Sequence, residues 1–329
     1  MPAPARSSRL RRLVSAFVSR AVVWPLELAA ALLRPLPTRW VLRISNGFAL
    51  LLWMLDPRGR KASAENLDVV FGAELPPAER RRLTRASYRC AVRSIVLLFH
   101  LQPLTPERYR SLVRVDPEDD ARFRELIAKH PKVILVSGHF GNWELLLASR
   151  SVFAYAPECV YLAETTGFPS VDTFFEGLRD RGAGGAGRRK RGSMALKKAV
   201  EDGRSVSLLM DRNVRGAHGG IYAPFLGLPA RTTPLPAKLA LWNDAPLAVC
   251  LLLPEGEAKW RLWISGDLRG ERTDDQDADV LAATTRVNDI LSRAIREHPE
   301  AWTWLIKRWK SRPTPELGPY PAYSYYDPD

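Results

Sequence analysis

The run Lys132-Val133-Ile134-Leu135-Val136-Ser137 constrains the fold more than any other segment of the chain. It is short, β-branched and apolar without alternation, so as a strand it must be covered on both faces, which requires a sheet flanked by helices. A glycine turn and the helical pattern Trp143–Ala154 follow it directly, the strand–turn–helix order of an α/β layer. The pattern then repeats. Val160–Ala163 reads as a weaker strand, Ser170–Arg181 as a helix, and Ser193–Asp202 as a helix leading through Gly203 to a strand at Ser205–Met210 that ends on Asp211. Helix Leu235–Asn243, strands Leu247–Leu253 and Lys259–Leu268, and helix Asp277–Glu297 complete it. Upstream, Ser63–Phe71 and Pro76–His100 read as helices, the second opened by a proline pair. Two stretches resist assignment to elements: the glycine-arginine loop Ala183–Gly192, which no core could absorb, and Val214–Thr233, where glycine and proline recur as in a long structured loop.

Charge then separates the chain into regions. The 329 residues carry a formal +13, and residues 1–60 hold ten arginines against Glu27 and Asp56, a net +8. The same region contains the apolar runs Leu13–Phe17, Ala21–Leu33 and Phe48–Leu55, with Trp24, Trp40 and Trp53. Arginines beside apolar helices suit anionic headgroups better than a nucleic-acid groove, so the partner read here is a membrane, with no nucleic acid. Arg20, Pro25 and Glu27 interrupt the stretch Leu13–Leu33, so an interfacial or tilted anchor fits as well as a span, and a cleaved signal fits poorly. The organisation expected is a membrane-anchoring helical region at 1–60, a globular domain at 61–313, and a tail at 314–329 that is an ordered extension or a flexible end. Cys90, Cys159 and Cys250 are too far apart for a disulfide framework. The histidines show no metal spacing and no phosphate-cradling glycine loop appears, so neither metal nor cofactor is expected.

Chemistry concentrates in Gly138-His139-Phe140-Gly141-Asn142-Trp143-Glu144, at the predicted strand end. On one continuous helix, His139 and Glu144 would lie roughly 140° apart, so they meet only if the chain bends between them, as Gly141 permits. A histidine whose second ring nitrogen is held by a carboxylate takes a proton from a hydroxyl near neutral pH. The bland alternative is a histidine capping a strand and a glutamate favoured by a helix dipole. Spacing alone does not choose between them.

The surrounding words do. Gly-His-Phe-Gly-Asn-Trp-Glu resembles the catalytic block of the bacterial lipid A late acyltransferases, the lauroyl and myristoyl transferases of the lysophospholipid acyltransferase superfamily with its His-x-x-x-x-Asp/Glu signature. Ordered matches extend over residues 60–313: Glu65-Asn66-Leu67 with Phe71; Arg191-Gly192 with Leu196 and Asp202-Gly203; Asp211; Tyr222–Gly227 with Ala230-Arg231-Thr232-Thr233; and Trp302–Pro313. Two places depart from the family's pattern. Asp211-Arg212-Asn213 stands where a second acid is common, and Ile306-Lys307 replaces His-Arg before Arg308.

The resemblance implies an α/β fold with a central mixed sheet flanked by helices, glycerolipid acyltransferase-like, with N-terminal membrane-associating helices. It implies an O-acyltransferase of lipid A, hence lipopolysaccharide, biosynthesis at the cytoplasmic face of the cell inner membrane. A fatty acyl chain would pass from an acyl thioester, on acyl carrier protein or coenzyme A, to a hydroxyl of a phosphorylated lipid acceptor. Carried over by position, His139 is the general base and Glu144 its orienting partner, and replacing Glu144 with alanine is expected to abolish most turnover while leaving folding nearly intact. Four further residues are candidate substrate contacts. Asn142 either supports the same turn or caps a helix; Arg191 binds phosphate or the thioester oxyanion, unless Arg188–Arg191 is a solvated loop; Asp211 holds Arg191 or an acceptor group, or caps its turn. Arg308 contacts phosphate, or is an exposed strand residue alternating with Trp302, Trp304, Ile306 and Trp309. The dyad does not encode the acceptor, so another glycolipid or aminolipid remains open, as does a non-catalytic basic membrane- or nucleic-acid-binding protein.

Overall fold

The computed structural model describes residues 21–147, 149, 159–163, 168–180, 186–188 and 192–328. Helices α1 (21–33) and α2 (Thr38–Leu55) lead into α3 (Pro57–Phe71) and α4 (Pro77–His100), then α5 (Pro106–Arg110). The α/β part follows as β1 (Val113–Val115), α6 (Pro117–Lys129), β2 (Ile134–Ser137), α7 (Trp143–Leu147), β3 (Cys159–Ala163), α8 (Pro169–Asp180), β4 (Ala186–Arg188), α9 (Gly192–Glu201) and β5 (Ser205–Leu209). The last third holds the hairpin β6 (Ile221–Phe225) and β7 (Leu228–Thr232), α10 (Leu235–Trp242), β8 (Leu247–Gly256), β9 (Lys259–Ile264), α11 (Gln276–Glu297), and the short pair β10 (Ser311–Arg312) and β11 (Tyr325–Tyr326).

Among the described residues, seven strands form one mixed sheet in the order β1-β9-β8-β2-β5-β3-β4, parallel except for the β8–β9 pair. The apolar run that predicted a two-faced buried strand is β2, with Val133, Ile134 and Val136 almost fully buried. The core around it joins Val206 and Leu208 of β5, Leu247, Val249 and Leu251 of β8, and Val287 and Leu291 of α11. Helix α11 buries residues at 280, 283, 284, 287, 291 and 294, the three-and-four spacing of a single apolar face.

Two expectations for irregular segments are overturned. Residues 221–232 form a hairpin, with Leu226 and Gly227 supplying the positive φ of its turn. Within the arginine-glycine stretch, Ala186–Arg188 pairs with Tyr161–Ala163 as an edge strand, where only one side of the backbone needs a partner. The tail is ordered: the Tyr323 hydroxyl donates to Asn66 Oδ1, and the Asn66 amide donates to the carbonyls of Trp304 and Ile306 at 2.8 Å. The Glu-Asn-Leu element of the sequence is therefore a clamp on the C-terminal segment.

Helices α1 and α2 are two-sided. Ala30, Leu33, Val41 and Leu42 pack with Leu97, Leu98 and Phe99 of α4, whereas Trp24, Leu32, Trp40, Ile44, Phe48 and Leu55 are exposed. Among the described residues no helix is long and apolar enough to cross a membrane, and residues 13–20 of the apolar N-terminal stretch lie outside them.

Candidate active site

Strands β2 and β5 are parallel neighbours whose last registered pair is Ser137 with Leu209. Two residues beyond that pair, the carboxyl ends of the strands bring His139 and Asp211 face to face. His139 Nδ1 lies 2.8 Å from Asp211 Oδ1, and the His139 backbone N–H donates to Oδ2 at 2.7 Å. The indole N–H of Trp302 donates to the same Oδ2 at 2.8 Å. Gly138 leaves room for this contact, since a Cβ there would sit 3.1 Å from Asp211 Oδ2.

Asp211 is 0 % exposed. Burial alone would raise its pKa, but the charge of His139 and the hydrogen bonds from His139 and Trp302 outweigh burial and hold the carboxyl below its ordinary range. An ionised carboxylate only accepts, so Nδ1 is the donor, and in the neutral ring the lone pair is the one on Nε2. Nε2 bonds to none of the described residues, and the His139 side chain is 20 % exposed. The imidazole is thus held at Nδ1 and left open at Nε2.

The turn that carries His139 is pinned on several sides. Thr303 donates to the His139 carbonyl from its backbone N–H at 3.1 Å and its hydroxyl at 3.0 Å, and the Gly141 N–H donates to Ala301 at 2.8 Å. From α4, the Cys90 thiol donates to the carbonyls of Gly141 (3.2 Å) and Ala301 (3.0 Å). Burial pushes that thiol up to about 12, so it stays protonated and serves as a donor rather than a nucleophile. Gly141 has φ +61°, and a Cβ on it would stand 2.0 Å from the Leu252 carbonyl oxygen. Gly141→Ala is therefore expected to cost about 3 kcal/mol or more in urea denaturation; a variant as stable as the parent would show that the turn is not fixed by this glycine.

Glu144 does not face His139. The sequence-based pairing assumed that the bend at Gly141 returns the glutamate to the histidine. Instead α7 begins at Trp143, the Trp143 ring packs 5.1 Å from the imidazole, and the Glu144 carboxylate is taken by Arg179 of α8 at 2.8 and 2.6 Å. This fork-to-fork pair is buried, with the Glu144 side chain 6 % exposed. Burial would depress the guanidinium, but the hydrogen bond and charge of Glu144, with Tyr161, raise it instead, so the pair is a fixed ionic link between α7 and α8.

The other sequence candidates separate. Asn142 accepts from the Leu145 N–H at 3.0 Å, the capping alternative, and its buried amide nitrogen has no partner among the described residues. Among the described residues Asp211 is bonded to His139 and Trp302 rather than to an arginine. Arg191 lies outside the described residues. Arg308 is not an exposed strand residue: it is 0 % exposed in a loop, donates to the Arg231 carbonyl at 2.7 Å and to Thr232 Oγ1, and stacks on Phe225 at 4.5 Å. Burial lowers its pKa to about 10 against the opposing charges of Asp211 and Tyr323. Its donors go to the protein interior because β7 ends beside the loop that follows β5. Among the described residues no group of three or more His, Cys, Asp or Glu side chains could hold a metal. Sequence reasoning missed Arg179, an arginine in an ordinary amphipathic helix with no motif around it. It also gave no role to Trp302, although that residue stood inside a segment already singled out.

Comparison with known proteins sharpens this picture. Residues 12–311 match the family model described as bacterial lipid A biosynthesis acyltransferase. The chain is 24 % identical to a lipid A biosynthesis myristoyltransferase of Escherichia coli (strain K12) over 274 residues, 83 % of this chain and 81 % of that protein. It is 22 % identical over 288 residues to lipid A biosynthesis acyltransferase 2 of Shigella flexneri, covering 86 % and 84 % respectively. A lipid A biosynthesis palmitoleoyltransferase of E. coli K12 matches over a shorter region, 27 % identical over 124 residues, 37 % of this chain and 39 % of the relative.

Proposed function

The chain belongs to the bacterial lipid A biosynthesis acyltransferase family, and on that premise we propose that it transfers a fatty acyl chain from the thioester of acyl carrier protein to a hydroxyl of a lipid A precursor, with His139 as general base. The observation that carries this reading is the ring of His139, bonded to Asp211 through Nδ1 and open at Nε2. Nε2 takes the proton of the acceptor hydroxyl as its oxygen attacks the thioester carbonyl. The buried carboxylate of Asp211 stabilises the imidazolium that forms. A donor such as Arg191 or a backbone amide holds the tetrahedral oxyanion. When the C–S bond breaks, the imidazolium returns its proton to the departing thiolate, so the products are the ester and the free carrier thiol.

Asp211, not Glu144, is the orienting group in this scheme, and Glu144 with Arg179 positions α7 behind the histidine. The exposed apolar faces of α1 and α2, with Arg34, Arg39 and Arg43 among them, support a lipid-facing role at the cytoplasmic surface of the inner membrane.

The test is an assay of the full chain in detergent with carrier-linked acyl chains and a phosphorylated, hydroxyacylated glucosamine disaccharide lipid, read by mass spectrometry. A gain of one acyl unit is expected, and its loss in a folded His139→Ala variant. Transfer at the parental rate by that variant would end the proposal.

A further inference from the structure

One face of α4 is an arginine ladder. Arg82, Arg85, Arg89 and Arg93 follow at intervals of three, four and four, which places them on a single side of the helix over about 16 Å. Three of them are satisfied. Arg82 pairs with Glu79 at 2.6 Å, Arg93 bonds to Glu257 (2.6 Å) and Asn46 (2.9 Å), and Arg85 stacks over the Trp53 ring at 4.4 Å.

Arg89 is different. It is half-buried, yet among the described residues it makes no hydrogen bond or ion pair. Burial and the like charges of Arg93, Arg82 and Arg85 lower its pKa, against a weaker attraction from Glu257. A guanidinium desolvated among three other cations with no carboxylate bonded to it is a net cost to folding. Such a cost is met when an anion arrives.

The location narrows the anion. The next residue, Cys90, touches the catalytic turn through the Gly141 carbonyl, and Arg93 reaches Asn46 on α2, whose other faces are the exposed apolar ones. The helix that carries the ladder therefore touches both α2 and the turn of His139. A headgroup bound on that helix would lie next to α2, whose exposed apolar residues suit acyl chains. Several forked donors along one helix face match the oxygens and the double charge of a phosphate monoester better than the single charge of a phosphodiester.

We propose that Arg89, flanked by Arg85 and Arg93, is the receptor for a phosphate monoester on the acceptor lipid. This rests on the transfer reading given above. It separates the acceptor from the two phosphodiesters nearby, the bilayer headgroup and the phosphopantetheine of an acyl carrier.

The experiment compares full-length protein and Arg89→Gln in neutral detergent, binding the glucosamine disaccharide lipid before and after removal of its phosphate monoesters. In the parent, removing the phosphates should weaken binding about ten-fold or more; in R89Q that difference should shrink to less than about three-fold, with the dephosphorylated lipid bound as before. Arg85→Gln, at an exposed position, should shrink it partially. The melting temperature of R89Q should equal or exceed the parent's, because an unmatched charge has been removed; a lower one, with equal weakening towards both lipids, would mean a structural role and overturn the proposal. So would an undiminished phosphate preference in R89Q, or loss of binding to phosphatidylglycerol vesicles in its place. If the parent shows the phosphate preference but transfers no acyl chain, the phosphate site stands and the transfer reading fails.

Discussion

Asp211→Asn should fold, bind acceptor nearly as the parent does, and turn over about a thousand- to ten-thousand-fold more slowly. Two N–H groups, from the His139 backbone and the Trp302 indole, converge on Oδ2. In the variant the amide oxygen must take that position, which leaves the amide NH2 facing Nδ1. The imidazole then moves its proton to Nε2, and the nitrogen that should accept from the substrate becomes a donor. A steady-state assay with saturating acceptor reads this directly as a loss in kcat, and parental turnover would dismiss Asp211 as the orienting group. The same variant has a stability signature. Because the folded carboxyl loses its proton more readily than the unfolded one, Asp211 contributes stability that is complete above a pH of about 4 and drains away as the pH falls further, through the folded pKa. The gap in urea stability between parent and D211N should narrow across that acid range. A gap that stays constant there would show that ionised Asp211 does not stabilise the fold.

Glu144→Ala should lose about 3–5 kcal/mol of stability, because it strands the Arg179 guanidinium in a buried site with its partner gone. This reverses the expectation from sequence that the substitution would leave folding nearly intact. Replacing both members, as in Glu144→Met with Arg179→Met, should recover most of the loss, since two apolar side chains of similar length leave no charge unmatched. Chemical denaturation of the two single variants and the double variant forms the cycle. If Glu144→Ala is as stable as the parent, the ion pair is not holding α7 to α8. If the double variant regains stability but not turnover, Glu144 takes part in the reaction beyond its pairing with Arg179.

Much of the architecture was legible because it is written in local pattern. The unbroken apolar run at 133–136 required a covered strand, the spacing along α11 required one buried face, and polar residues after two strands marked the end of the sheet where His139 and Asp211 meet. Local pattern failed where a segment draws its partner from elsewhere. Ala186–Arg188 is a strand only because Tyr161–Ala163 is beside it, and residues 221–232 pair with each other across a turn whose Leu226 adopts a positive φ that no sequence rule favours. Arg308 alternates with tryptophans as a surface residue would, and is buried because the carbonyl of Arg231 and the hydroxyl of Thr232 stand where its donors end.

The sequence by itself determined the family and the α/β class and singled out the histidine, since each depends on residues close together in the chain or on an ordered set of short words. Only the tertiary structure decided which carboxylate serves that histidine. Chain order runs β2, β3, β4, β5, but β5 inserts next to β2 in the sheet, and parallel register then carries Asp211 across 72 residues to a position that Glu144, five residues away on a helix of its own, does not reach.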